Sequence, residues 1–361
     1  MEKASRLLSL DVLRGLTIAG MIIVNSPGSW KYVYAPLTHA QWNGLTPTDL
    51  VFPFFMFIMG ISIYISLKKF HFSYSTSLVK KVIKRTILLF LIGLFLNWCA
   101  KGLCSFQELR IPGVLQRLAL CYFFTVIICI NIREKYIPIL TVFLLFVYQI
   151  ILMIGNGFVQ GPQNIIAIVD QQVIGISHLY NDNGVDPEGI LSTIPSITHT
   201  LIGYYIGKIC IGKQNIHNKL EKLFLIGTML LFAGYLFSYG CPINKKIWSP
   251  TFVLVTCGVG ILLFSLLIWM IDIQKYQKGV KLFNIYGTNP LFCYTIGELF
   301  FIALIHISVG GKTLHTWYYQ HVLVSWFGDN CFSSLLMALS LTAVIGIFGY
   351  ILYRKHIYIK I

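Results

Sequence analysis

The feature that most constrains this chain is the recurrence of apolar runs of membrane-spanning length. Runs near the roughly 20 residues needed to cross a bilayer occur at approximately 8–27, 48–67, 85–100, 112–131, 136–154, 190–208, 221–239, 250–271, 285–307 and 333–353. No water reaches backbone N–H and C=O groups in hydrocarbon, so each run must be helical. Of the 361 residues 56% are hydrophobic and only 11% charged, where a soluble domain carries about a quarter. The expectation is an all-α, polytopic integral membrane protein of about ten transmembrane helices. It forms one transmembrane domain over 1–361, with the lipid bilayer as its constant partner. The first run, from about Leu7, is expected to remain as a signal anchor.

The net charge of +15 is a topology signal, because Lys and Arg collect in cytoplasmic loops. It does not call for nucleic acid. Most of the 28 Lys and Arg, among them Lys3, Arg6, Lys68, Lys69, Lys80, Lys81, Lys84, Arg85, Arg133, Lys135, Lys208, Lys213, Arg354 and Lys360, fall on one side of the alternating runs. The opposite loops hold Lys31, Lys101, Arg110, Lys245, Lys246 and Lys312, and Arg14 and Arg117 lie inside runs. Both termini are therefore expected to be cytoplasmic, with His39, the 155–189 loop and the 308–332 loop on the exterior. None of the nine cysteines forms a C-x-x-C pair, so no metal site is expected. Cys104, Cys241 and Cys331 fall in exterior loops, where a disulfide is open to them. G-x-x-x-x-G-K-[ST], G-x-S-x-G and H-E-x-x-H are absent, which removes ATP-driven transport, serine hydrolysis and zinc proteolysis.

The chemistry-bearing residues gather at the ends of runs. H-A-Q-W-N-G-L-T-P-T-D places His39, Trp42, Asn43 and Asp49 immediately before an almost wholly apolar helix. Histidine exchanges protons near neutral pH, so His39 is the first candidate catalyst. Thr46, Pro47 and Asp49 also read as an N-cap, a first helical position and a capping-box acid. L-S-L-D-V-L-R-G puts Asp11 and Arg14 three apart on one helix face, either as a self-satisfied pair or as one wall of an anion site. Asn25 lies about three turns further on. Arg117 is an intramembrane cation that needs a carboxylate, phosphate or carbonyl partner. Asn289-Pro290 is expected to break a helix, as in segments that line membrane sites. D-P-E at Asp186 and Glu188 reads either as sugar recognition or as a helix start. Glu298 is an intramembrane carboxylate, and His199 and His306 read as buried helix histidines.

The blocks L-S-L-D-V-L-R-G, H-A-Q-W-N-G-L-T-P-T-D-L-V-F-P-F-F-M-F-I-M-G, R-I-P-G-V-L-Q-R-L, D-P-E-G-I-L-S-T-I-P-S-I and I-L-Y-R-K-H-I-Y resemble, in this order, the heparan-α-glucosaminide N-acetyltransferase family and its bacterial relatives. The match begins at about residue 6 and leaves out the large luminal N-terminal domain of the lysosomal enzyme. The resemblance implies a multi-pass acyltransferase that takes acetyl from cytoplasmic acetyl-CoA and delivers it to a glucosamine-type amine across the membrane. It places the active histidine on His39. For this chain the expectations become His39, Asn25 and Asp49 as catalytic residues, and His39 acts as general base or as acetyl carrier. Arg14, Arg117, Lys84 and Arg85 are expected to hold the CoA moiety. Trp42, Asn43, Asp186, Glu188 and Asn289 are expected to meet an amino-sugar or glycan acceptor. In a bacterium the inner, plasma membrane is the expected location, and a homodimer is left open. The runner-up reading is an N-acetylglucosamine permease without chemistry, with binding at a midplane site. An O-acyltransferase using the same histidine is a third.

Overall fold

The computed structural model describes residues 7–180 and 184–359; Lys3, Arg6 and Lys360 lie outside the described residues. The chain is nearly all helical, as its apolar runs require. In order come α1 (Leu8–Asn25), α2 (Val51–Lys69), α3 (Thr76–Ala100), α4 (Val114–Asn131), α5 (Ile137–Ile154), α6 (Ile165–Ile174), α7 (Thr193–Ile211), α8 (Ile216–Phe237), α9 (Pro250–Leu267), α10 (Val280–Thr288), α11 (Pro290–His306), α12 (Leu314–Tyr318), α13 (Ser325–Phe327) and α14 (Cys331–Arg354). A two-residue hairpin, Ser308–Val309 against Lys312–Thr313, is the sheet among the described residues.

Eight helices among the described residues are long and apolar enough to cross a membrane, or nine if the bent pair α10–α11 counts as one span. Nine of the ten expected runs fall mainly on one helix each, and the 285–307 run is divided between α10 and α11. The run at 190–208 falls outside that set because α7 is a polar helix wrapped by the others: Ser196, Thr198, His199 and Thr200 are fully buried. Asn289-Pro290 does break the chain, and α10 and α11 meet at 83°. α3 begins at Thr76, earlier than the expected 85, because Ser75 caps it by accepting from the Leu78 N–H at 3.2 Å. The basic cluster at 80–85 thus rides on helix rather than loop. The 155–189 segment, expected as a loop, holds the ten-residue helix α6, capped by Asn164 accepting from Ile166 N–H at 2.9 Å. All nine cysteines are free.

Among the candidate spans α1, α2 and α9 are the most buried, with α3 and α8 largely facing outward. The core packs Phe57, Ile61, Ile206, Ile261 and Phe264 between α2, α7 and α9. α2 and α7 approach closely through glycine. A Cβ on Gly203 would stand 2.2 Å from the Phe57 carbonyl oxygen, and one on Gly60 2.1 Å from that of Thr200. Small residues that let backbones touch are how membrane helices gain packing when lipid is as apolar as leucine.

This contact generates a stability prediction. Gly203→Val should overpack the α2–α7 seam, at a cost of about 1–3 kcal/mol, and lower the thermal unfolding temperature in detergent. Gly240→Ala, where nothing lies within 4 Å, should be close to neutral. Equal melting of the two variants would contradict this packing.

Candidate active site

Thr46 starts the short helical turn Pro47–Leu50 that leads into α2, and Asp49 closes its capping box. Asp49 Oδ2 accepts from the Thr46 N–H at 3.1 Å, the Thr46 hydroxyl at 3.0 Å and the Ala40 N–H at 3.1 Å. Its other oxygen lies 2.6 Å from His39 Nδ1. The cap and the catalytic reading of Asp49 are therefore compatible in one carboxylate. His39 keeps Nε2 for other partners, and its side chain is 49% exposed against 1% for Asp49.

The rest of the H-A-Q-W-N-G block fastens this loop. Trp42 donates its indole N–H to the Phe158 carbonyl at 2.9 Å. Asn43 accepts from Asn244 Nδ2 at 3.1 Å. The Gly44 N–H donates to the Ile243 carbonyl at 2.8 Å, at a backbone φ of +120° that favours glycine. The Trp42 indole N–H and the Asn43 amide oxygen are thus spent on the chain itself. The fastening brings in a residue that the sequence did not flag. Lys245 Nζ lies 3.1 Å from His39 Nδ1 and 3.5 Å from Asp49 Oδ1. Burial pushes the Lys245 ammonium below its ordinary range, while Asp49 and Glu188 pull it back up. The signal was the P-I-N-K-K-I-W-S-P stretch, a polar cluster just ahead of a Pro-initiated helix.

Asp186 and Glu188 serve first as a clamp. Arg110 donates to Asp186 at 2.8 and 3.3 Å and to Glu188 at 2.6 Å. Burial works against the Arg110 charge, but Glu188 and Asp186 outweigh it and hold the guanidinium pKa above its ordinary value. Arg117 is 1% exposed and lies 5.3 Å from the Trp248 ring. It donates to the Gly189 carbonyl at 2.6 Å and the Ser192 hydroxyl at 2.5 Å. It holds the entrance of α7. Buried atoms around it without a hydrogen-bond partner include Arg117 Nε and Nη1, both His199 ring nitrogens, Trp248 Nε1 and Asp170 Oδ2.

A cavity of about 400 Å³ runs between α1, α2, α3, α4 and α11. Arg14, Lys81, Arg85 and Ser62 line one end, and Ile18, Met21, Phe55, Met59, Leu115, Leu118 and Tyr294 are among its walls. Arg14 is paired with Asp11 at 2.9 Å and donates to Ser62 at 3.1 Å, so the Asp11–Arg14 pair and the cavity wall coexist. Lys81 and Arg85 are four apart and share a face. Lys81 and Arg85 line the cavity, and Lys84 does not. Arg117 is absent from the lining because Val114, Leu115 and Leu118 present the α4 face. Asn289 is fastened to the C-terminal segment: its amide donates to the Ile357 carbonyl at 2.9 Å and accepts from Ile359 N–H at 2.8 Å. Asn25 donates to Glu298 at 2.9 Å. Among the described residues no group of three or more His, Cys, Asp or Glu is placed to hold a metal.

Asp170 gives a pH prediction. Burial pushes its carboxyl up to about 6 from 3.8, against the pull of the Leu191 and Ile190 N–H groups and Arg117. The folded chain then binds this proton more tightly than the unfolded one. The stability it contributes is full below about pH 4 and lost as pH rises through about 6. Asp170→Asn, which keeps an acceptor for Ile190 and Leu191, should flatten that part of the melting temperature against pH. An unchanged slope would contradict the burial argument.

Residues 6–240 match the family described as "Heparan-alpha-glucosaminide N-acetyltransferase, catalytic". A Mus musculus protein named Heparan-alpha-glucosaminide N-acetyltransferase is 27% identical over 424 residues, taking in 100% of this chain and 61% of the relative. The Homo sapiens protein of that name is 29% identical over 364 residues, or 82% of this chain and 53% of the relative. The chain thus spans roughly half to three fifths of the length of the curated relatives it matches. The family match takes in α1 to α8, with the whole 39–49 loop and the Arg110 clamp, and the chain belongs to the heparan-alpha-glucosaminide N-acetyltransferase family.

Proposed function

We propose that this chain is a membrane acetyltransferase that moves acetyl from acetyl-CoA, entering at one face, to the amine of an amino sugar at the other. The cavity carries this reading. One end is basic, the shaft is apolar, and Asn25 lies beyond the other end. From Arg14 to Asn25 is eleven residues of α1, about 16 Å at 1.5 Å per residue. That depth suits a negatively charged nucleotide head at the Arg14 end with a narrow neutral arm along the shaft. Arg14, Lys81 and Arg85 would hold the phosphates, and the donor supplies an activated thioester acetyl. The loop charges support a cytoplasmic face for the Arg14 end. The runner-up, a permease, leaves the basic end without a purpose.

At the opposite face His39 takes the proton from the acceptor amine as its nitrogen adds to the acetyl carbon. Asp49 receives the Nδ1 side of the ring and leaves Nε2 toward the acceptor. The new C–N bond forms, the C–S bond breaks, and the proton ends on the departing thiolate to give free CoA. Asn25 donates to the oxygen that gathers charge on the way. Glu188, tied to Arg110 and within electrostatic reach of Lys245 and of the Tyr294 hydroxyl, links the His39 basin to the cavity end.

His39→Ala should reduce acetyl transfer to glucosamine by 10²–10⁴-fold or more, roughly the worth of general base catalysis, while acetyl-CoA still binds. Lys81→Ala and Arg85→Ala should each weaken CoA binding roughly tenfold, as loss of a charge-assisted contact does. Single-cysteine labelling should reach residue 180 only from the acceptor face and residue 76 only from the CoA face. Labelled N-acetylglucosamine crossing proteoliposomes, with no acetylated product from glucosamine, would overturn the enzyme in favour of the permease.

A further inference from the structure

Glu298 is a polar group within the bundle that the chemistry above leaves without a role. It lies on α11, and Asn25, the last residue of α1, donates to it from 273 positions away at 2.9 Å. Both residues stand one helical turn beyond the cavity wall. Met21 lines the cavity four residues before Asn25, and Tyr294 lines it four residues before Glu298. Residues four apart share a face and a turn rises about 5.4 Å. The pair therefore closes the shaft at the end opposite Arg14, Lys81 and Arg85.

A carboxylate at membrane depth is expensive unless it has a partner or a task. One hydrogen bond from a neutral amide is a small return, and two apolar side chains would tie α1 to α11 as well. What the carboxyl group adds is direction. Its Oε1 accepts, and the Asn25 amide turns Nδ2, not Oδ1, toward it. The amide is planar, and fixing one N–H fixes the line of the other.

We propose that Glu298 is a positioning residue: it holds the Asn25 amide so that its second N–H faces the carbonyl oxygen of a thioester at the closed end of the cavity. This rests on the acetyl-transfer reading. As the amine nitrogen bonds to the carbonyl carbon, the carbonyl electron pair moves to oxygen, and it returns as the C–S bond breaks. Glu298 gives and takes no proton in that sequence. A donor aimed in advance at the charged oxygen needs no reorganisation when the charge arrives.

The test uses acetyl-CoA labelled with ¹³C at the carbonyl and difference infrared spectroscopy on the full chain in detergent, for the native protein, Asn25→Ala, Glu298→Ala and Glu298→Gln. The native protein should lower the bound carbonyl frequency, and Asn25→Ala should return it toward that of free acetyl-CoA. Glu298→Ala should do the same although it removes no donor. Glu298→Gln, which can present either oxygen or nitrogen to Asn25, should fall between. In parallel, kcat for Glu298→Ala should drop on the order of 10²-fold, near the loss of one oxyanion donor, with KM for acetyl-CoA little changed. CoA affinity reports whether each variant is folded, and the near-isosteric Glu298→Gln serves if the alanine variant is not. A native band that is displaced and stays displaced in the Glu298 variants overturns the positioning role alone. Absence of any bound acetyl-CoA band in the native protein overturns the acetyl-transfer reading beneath it.

Discussion

The Asp49 carboxylate is the interaction on which the rest of the site depends. It closes the cap that starts the helix leading into the bundle, holds Ala40, and meets His39 at 2.6 Å. Cap and catalytic loop therefore share one anchor. A charge buried this completely needs compensation, and Lys245, far along the chain, supplies it at 3.5 Å. Glu188 stands within electrostatic reach of Lys245 and is bound to Arg110, which also grips Asp186. Signs alternate from α2 across the 241–249 loop to the entrance of α4. The loops at the His39 face are joined through charge and through a small apolar cluster in which Trp42, Phe158, Val185 and Ile247 meet.

How much of this was legible follows from what sets each element. Spanning helices need only length and apolarity, so their order could be read directly, though eight or nine rather than ten qualify among the described residues, and the 83° break at Asn289-Pro290 followed from proline chemistry. α7 was harder, because a helix sheathed by other helices need not be apolar and can carry buried Ser196, Thr198 and His199. α6 escaped because ten residues inside a loop fall below any spanning signal. The cap at Thr46–Asp49 was readable because its partners are three residues apart.

Long-range partners were not readable. Lys245 reaches His39 only through the fold, and Asn25 finds Glu298 in the same way. For the basic end, the helical repeat would have distinguished Lys81 from Lys84, given the face that α3 turns inward. Arg117, Asp186 and Glu188 were recognised as functional types, but their partners lie more than 70 positions away in the chain, Gly189 and Ser192 for Arg117 and Arg110 for the two carboxylates. A single chain shows which residues are costly to bury; geometry decides which of them bind each other.

The two halves of the proposed site come from different physics. The cavity is a gap between helices with cations at one mouth, and the His39 basin is a fastened loop over a helix cap. The direct test of their joint purpose is a cryo-EM structure of the full chain with CoA added. The account predicts density along the cavity, with phosphates at Arg14, Lys81 and Arg85 and the thiol end beside Asn25 and Glu298. CoA bound elsewhere, or a cavity filled by unmodified sugar while CoA stays in solution, would contradict it.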